Sequence, residues 1–272
     1  MAHIKLASDP LILDLWAELQ REAESYKRKE PSMASLIHAR ILDHVNFADA
    51  LINVLAGKLA TQDFSALTLR NIFKQVIEAD EHIIKMSVSD MMAVIERDPS
   101  CSGYVQCFLY FKGFQAVQTH RFAHALHKQG RDLIAYYLQS RSSELFGVDI
   151  NPAARIGSGL FLDHATGFVM GETAVIGDDC SILHGVTLGG TGKSTQDRHP
   201  KIGNRVLIGA GAVVLGNIKV GDMAKIAAGS VVLNDVDSQC TVAGVPAKPI
   251  SGSCCDNPAR RMDHSFNTGE DE

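Results

Sequence analysis

The sequence predicts an α+β protein: an all-helical N-terminal domain over 1–145, then a left-handed parallel β-helix over 146–250 with one extruded loop. Three observations carry that reading. Apolar residues recur at every sixth position from Ile150 to Val232. The repeat breaks once, between Val186 and Ile202. Before it, the chain shows apolar stripes at helical spacing instead.

The helical part starts at Asp9-Pro10, a capping carboxylate followed by a proline suited to a first turn. Ile12, Leu15, Trp16 and Leu19 give the first stripe, ending near Lys29 to Pro31. Ser32 is placed to cap a second helix, whose stripe spans most of Met33 to Ala60. Leu69, Ile72, Phe73, Val76 and Ile77 mark a third. Met86, Met91, Met92, Val94 and Ile95 mark a fourth, closed by Asp98-Pro99, its methionines reading as core filling. Gly103 to His127 is one long apolar-rich segment, and 131–144 forms a last helix. His120, His124 and His127 share a helical face, but Arg121 beside them disfavours a cation, so they read as packing residues.

The hexads then begin. Their first positions are Ile150, Ile156, Leu162, Phe168, Ala174, Cys180 and Val186, and after the break Ile202, Ile208, Val214, Val220, Ile226 and Val232. A period of six fits neither a helix nor a flat strand. It fits short strands joined by turns, three to a triangular coil of about 18 residues, with the aliphatic first positions stacked inward. The break inserts ten residues on this count, 192–201, with a polar composition that must leave the solenoid as a loop. The helical domain is expected to cover one open end of the solenoid, and Val242 to Pro249 reads as a turn-rich exit at the other. The segment 251–272 reads as a flexible tail.

Composition narrows the function classes. With 272 residues, 46% hydrophobic, the chain is long enough for two compact domains or one large one. A net charge of -5 argues against a nucleic-acid partner bound by bulk electrostatics. No stretch approaches the roughly 20 apolar residues that span a bilayer, and Met1 to Asp9 lacks a signal-peptide pattern, so no membrane partner and a cytoplasmic location are expected. The six cysteines have neither disulfide-scaffold nor zinc-site spacing.

Polar groups on apolar walls are the candidates for chemistry. Asp149 and His164 lie about one coil apart, which would bring them near each other on adjacent layers. A carboxylate that fixes an imidazole tautomer leaves the other nitrogen as a base for a hydroxyl. Arg198-His199 sits in the loop, where the arginine can take a carboxylate bidentately. Leu188 to Lys193 is glycine-rich but lacks phosphate-loop spacing and a βαβ context. His184 reads as a core or subunit-contact residue.

These residues fall in a set of longer runs: Asp149-Ile-Asn-Pro-Ala-Ala154, Leu162-Asp-His-Ala-Thr-Gly167, Gly171-Glu-Thr-Ala-Val-Ile-Gly177, Val186 to Lys193, Asp197-Arg-His-Pro-Lys-Ile202 and Ala243-Gly-Val-Pro-Ala-Lys248. Together they resemble the serine O-acetyltransferases of the hexapeptide-repeat acyltransferase superfamily, over about residues 5–250. The resemblance implies acetyl transfer from acetyl-CoA to L-serine in a ternary complex, with acetyl-CoA as co-substrate and no permanently bound cofactor. It implies His164 as general base oriented by Asp149, and His199 binding serine and steadying the oxyanion. It implies Arg198 on the serine carboxylate, Asp98 and Asp163 on the ammonium, and Glu172 in a minor role. Acetyl-CoA would lie in a groove between subunits, along Gly189, Gly190, Ala210 and Ala228, with Lys225 and Lys248 as phosphate contacts. Trimers paired into hexamers and inhibition by L-cysteine follow from the same resemblance. Family members that bind O-acetylserine sulfhydrylase end in isoleucine; this chain ends in Glu272, from which weak or absent complex formation is expected.

Three other readings stay open beside it. One is O-acetyl transfer to a sugar or to homoserine, for which the charge set Asp98, Asp163 and Arg198 is less suited than for a zwitterion. Another is a β-helix zinc carbonic anhydrase, with His164, His184 and His199 as candidate ligands in differing phases. The last is a purely structural trimer.

Overall fold

The computed structural model describes residues 9–192, 195–250 and 256–265. Among the described residues, eight α-helices precede the first strand: α1 Pro10–Lys29, α2 Ala34–Ile37, α3 Phe47–Leu59, α4 Ala66–Ala79, α5 His82–Arg97, α6 Tyr104–Tyr110, α7 Lys112–Lys128 and α8 Asp132–Phe146. Asp9 caps α1 as expected, its carboxylate accepting from the Leu11 N–H at 3.2 Å. Ser32 does not cap α2; it lies inside a 3-10 turn, Pro31–Met33, and donates to Glu30. The stripe from Met33 to Ala60 is split, because Asn46 starts α3 by accepting from the Asp49 N–H at 2.9 Å. Gly103 to His127 is likewise two helices, α6 and α7, meeting at Phe111. No helix among the described residues is long and apolar enough to cross a membrane.

A parallel β-solenoid follows, its strands two to four residues long. Face A stacks β1 Val148–Ile150, β4 Phe168–Met170, β7 Thr187–Gly189, β10 Val213–Leu215 and β13 Val231–Val232. Face B stacks β2 Arg155–Ile156, β5 Val175–Ile176, β8 Lys201–Ile202 and β11 Lys219–Val220. Face C stacks β3 Phe161–Leu162, β6 Ser181–Ile182, β9 Leu207–Ile208, β12 Lys225–Ile226 and β14 Thr241–Gly244, closed by an antiparallel hairpin strand β15 Ala247–Pro249. The interior is a pile of aliphatic side chains, Met170, Leu188 and Val214 in face A and Ile182, Ile208 and Ile226 in face C among them, each at most 1% exposed.

The register corrects the hexad count. Ile150 pairs with Met170, not Phe168, and Leu162 pairs with Ile182. The first coil is therefore two residues longer than the expected 18. The two extra residues fall in the corner between β3 and β4, which contains His164. The slip was invisible to periodicity because residues two apart on a strand both face inward: Phe168, Ala174, Cys180 and Val186 are as buried as the true stack. With the phase restored, Leu188 rather than Val186 is the last stacked residue before Ile202. The loop then carries eight extra residues instead of ten.

Two buried arginines bolt the helical domain to the solenoid. Arg121 of α7 forms a 2.7 Å ion pair with Asp90 of α5, both under 3% exposed at the side chain. Arg121 also donates to the Gly157 carbonyl at 2.7 Å, and Asp90 accepts from the Leu160 N–H at 2.9 Å. Arg97, in the last turn of α5, donates to the Gly159 and Cys180 carbonyls at 3.1 Å each. Gly113 lets α7 press against the Leu162 carbonyl, where any Cβ would collide. This anchoring fixes the end of α5, and with it Asp98, beside the β3–β4 corner.

The described part of the expected tail is packed against the body. The short helix α9, Pro258–Arg261, buries Ala259 completely, and the Ala259 carbonyl accepts from the Ser181 hydroxyl at 2.7 Å. Arg260 pairs with Glu96. Within the segment expected to be a flexible tail, residues 256–265 thus pack on the body; Glu272 lies outside the described residues.

Candidate active site

The site residues expected from sequence gather at two corners of the solenoid. The first is the corner between faces C and A. Here a cleft of about 300 Å³ is lined by Asp98, Asp163 and His164, with Gln106, Tyr110 and Lys112 from the helical side. The two-residue insertion makes this corner bulge. His164 and Ala165 both adopt left-handed backbone, φ 54 and 59, with Ala165 buried and His164 exposed. His164 Nε2 lies 3.8 Å from Asp163 Oδ1, and its ring stands edge-on to His184 with centroids 5.8 Å apart. Burial raises the Asp163 carboxyl above the usual aspartate range; the nearby imidazole of His164 opposes this and the Asp98 carboxylate adds to it. Two carboxylates held this close create a negative cleft that favours a cationic ligand.

The second group lies at the corner between faces A and B, where the loop returns to β8. Thr173 organises it. The Thr173 hydroxyl accepts from the backbone N–H groups of Arg198 at 3.1 Å and His199 at 3.2 Å. His199 Nδ1 accepts from the Thr173 N–H at 3.3 Å and lies 2.9 Å from the Thr173 hydroxyl. An imidazole nitrogen that accepts from a backbone amide carries no proton, so Nε2 bears it. Burial, then the charges of Arg198 and Lys201, lower the His199 pKa and hold the ring neutral at pH 7. Nε2 faces Gly190, and the ring occupies the space where a Cβ on Gly171 would stand. His199 is therefore a buried, oriented N–H donor. Arg198 donates to Glu172 at 2.7 Å, so Glu172 positions the guanidinium.

Several sequence expectations change. Asp149 is not hydrogen-bonded to His164. It points outward from face A, in register with Val169, and accepts from the Gln139 amide at 2.7 Å. Fifteen residues of separation is five short of the actual first coil, which moves the two side chains out of line. The carboxylate nearest His164 is Asp163. His184 is exposed at the same corner as His164 rather than in the core. Lys225 is 5% exposed and donates to the Ser265 carbonyl at 2.7 Å, so the packed tail segment covers it and it does not present a phosphate contact. Lys248 is exposed on β15. Ala210 and Ala228 continue the C–A corner below His164, whereas Gly189 and Gly190 lie at the A–B corner beside His199. His164 and His184 stand at one corner and His199 at another, so these three do not converge within one chain. No group of three His, Cys, Asp or Glu among the described residues is placed to hold a metal ion. His124 Nδ1 donates to the Pro152 carbonyl at 2.8 Å and His127 pairs with Asp132 at 2.6 Å, in keeping with the packing reading of that face. Thr173, Gly171 and Gln139 were missed as site residues. Their roles depend on which side chain lies across the coil, which no local pattern reveals.

A helical cap on a hexapeptide solenoid, with an imidazole at a bulged corner and a second imidazole in the one long loop, defines a hexapeptide-repeat acyltransferase. Residues 199–234 match the family "Bacterial transferase hexapeptide (six repeats)", and residues 15–119 match "Serine acetyltransferase, N-terminal". The chain is 51% identical over 258 residues to serine acetyltransferase 1, chloroplastic, of Arabidopsis thaliana, covering 95% of this chain and 81% of that one. It is 49% identical to the serine acetyltransferase of Escherichia coli K12, covering 93% of each. Solved serine acetyltransferases superpose closely. A complex with cysteine gives TM-score 0.92 at 48% identity, covering 93% of this chain and 99% of that one. The Brucella abortus enzyme with coenzyme A gives 0.87 at 53%, covering 89% and 97%. The Neisseria gonorrhoeae enzyme with serine gives 0.86 at 50%, covering 90% and 100%. The chain belongs to the serine acetyltransferase family.

Proposed function

We propose that this protein transfers the acetyl group of acetyl-CoA to the hydroxyl of L-serine, releasing CoA, and that each site is completed by a neighbouring copy of the chain. The observation that carries this is the split of the site into two complementary halves. The C–A corner offers a base, His164, beside two carboxylates suited to an ammonium. The A–B corner offers Arg198, suited to a carboxylate, and a neutral N–H donor, His199. The flat strands of face A, about 10 Å across, separate the two corners within one subunit. One small zwitterion meets both when the A–B corner of one copy faces the C–A corner of the next, as in a closed ring of three. Pairing of such trimers through the helical domains into a hexamer belongs to the same proposal.

In this arrangement His164 removes the serine hydroxyl proton as the oxygen attacks the thioester carbonyl. His199 Nε2–H donates to the oxyanion that forms, and the tetrahedral adduct collapses with release of the CoA thiolate. Asp98 and Asp163 hold the serine ammonium and Arg198 its carboxylate. Asp163, being nearest, is assigned the electrostatic support of His164. Asp149 is engaged by Gln139 instead. Acetyl-CoA lies in the inter-subunit groove along Ala210 and Ala228 on one side and Gly189 and Gly190 on the other, with Lys248 left as the candidate phosphate contact. L-cysteine keeps the ammonium and carboxylate of serine, so it competes for the same half-sites; the solved relative with bound cysteine supports this.

The test follows thiol release from acetyl-CoA with L-serine, L-homoserine and a simple galactoside, on wild type and His164→Ala. Serine-dependent release that falls by about 100-fold or more in the variant is the expected result. Turnover with homoserine or the sugar in preference to serine would replace the acceptor and keep the fold. Undiminished turnover in His164→Ala would overturn the assignment of the base.

A further inference from the structure

A cavity of about 550 Å³, larger than the cleft at His164, lies where α4, α5 and α7 meet β2, and it belongs to neither half of the site above. Its lining is electropositive. Lys128, Arg155, His82 and His124 face it, against one carboxylate, Asp80. Arg121 also lines it, but its guanidinium is spent on Asp90 and the Gly157 carbonyl. Lys128 and Arg155 are different: neither forms a side-chain hydrogen bond or ion pair among the described residues. His124 donates Nδ1–H to the Pro152 carbonyl, which leaves its Nε2 to meet a ligand. Burial lowers the His124 pKa, the hydrogen bond to Pro152 opposes this, and the charges of Lys128, His127 and Arg155 lower it further.

We propose that this junction cavity binds a small multivalent oxyanion, with Lys128 and Arg155 as its two charged contacts and His124, protonated as the anion binds, as a third donor. Two cationic heads on different elements, one on a helix and one on the first coil, suit a ligand with at least two anionic groups. A cavity of this volume takes a molecule the size of a di- or tricarboxylate or a phosphate ester, and is generous for a single phosphate ion. Arg155 stands at the boundary of this cavity and also lines the cleft formed by Glu172, Thr173, Asp197 and Lys201. Nothing in this proposal depends on the acceptor assigned to the enzyme.

The experiment titrates the full-length protein with citrate and with inorganic phosphate by calorimetry, each against sodium chloride at matched ionic strength. Saturable citrate binding is expected, with phosphate weaker; the reverse order would keep the site and assign it to phosphate ligands. Lys128→Ala should weaken citrate about fivefold or more, and Asp80→Asn should tighten it by a few-fold. Both positions are exposed, so both variants should fold. In histidine-resolved NMR titrations the anion should raise the His124 pKa, because a nearby negative charge favours the imidazolium. Heat that tracks only ionic strength, or citrate affinity equal in wild type, Lys128→Ala and Asp80→Asn, would overturn the proposal.

Discussion

Gly171→Ala tests the seating of His199 without touching a titratable group. A Cβ built on Gly171 lands on Nε2 and Cδ2 of the His199 ring and lies 2.8 Å from Cε1. Gly171 lies outside the left-handed region, so alanine suits its backbone and the strain falls on the ring. The imidazole must swing away, losing its contacts with Thr173 and moving the Nε2 donor. Removing one oxyanion donor costs about 100- to 1,000-fold in kcat, about 2.7–4 kcal/mol of barrier. The fold loses only the two Nδ1 contacts to Thr173, net about 1 kcal/mol each. The expected phenotype is therefore a large kcat defect with a stability loss of about 1–2 kcal/mol. Steady-state thiol release gives kcat and KM for serine; urea unfolding gives stability. His199→Ala and the double variant complete a cycle, in which the double variant should be no slower than His199→Ala alone. A Gly171→Ala enzyme within about threefold of wild-type kcat would refute the argument. So would a double variant whose defects multiply.

Four further outcomes follow from the geometry. Thr173→Val removes the hydroxyl that accepts from both Arg198 and His199; kcat/KM should fall about tenfold or more, with KM for serine rising because Arg198 is no longer fixed. Asp90→Ala strands the buried Arg121 guanidinium and should destabilise the fold by about 3–5 kcal/mol in urea titrations, well beyond the loss in Asp90→Asn. The raised pKa of Asp163 gives a pH signature: as pH falls through it the carboxyl is protonated and loses its hold on an ammonium, so KM for serine should rise at acid pH earlier than an ordinary aspartate allows. Asp163→Asn should show a high KM that no longer varies over that range. Finally, Asp163→Asn should lower kcat more than Asp149→Asn does, because Asp163 is the carboxylate beside the base; the opposite order of kcat values would return that role to Asp149.

The solenoid was legible because its information is local and repeated. Each coil needs an aliphatic residue at the same place, so the pattern of Ile202, Ile208, Val214, Val220, Ile226 and Val232 writes the fold directly into the chain. The helix start at Asp9-Pro10 and the stop at Asp98-Pro99 are legible for the same reason, since caps and breakers act within one turn. His164, His199, Arg198 and the acidic pair Asp98 and Asp163 stood out as polar groups against apolar walls, and motif resemblance gave them roles. What tertiary structure decided was register and depth. The two-residue bulge at His164 leaves the apolar alternation intact, so only strand pairing shows that Asp149 is out of line with the imidazole. The seat of His199 in the hollow of Gly171, the Thr173 backbone N–H that fixes its tautomer, and the covering of Lys225 by Ser265 all join residues from different coils or from the tail. Periodicity reports which way a side chain faces along its own strand. It carries no term for what lies across the coil, and that is where the chemistry of this protein is set.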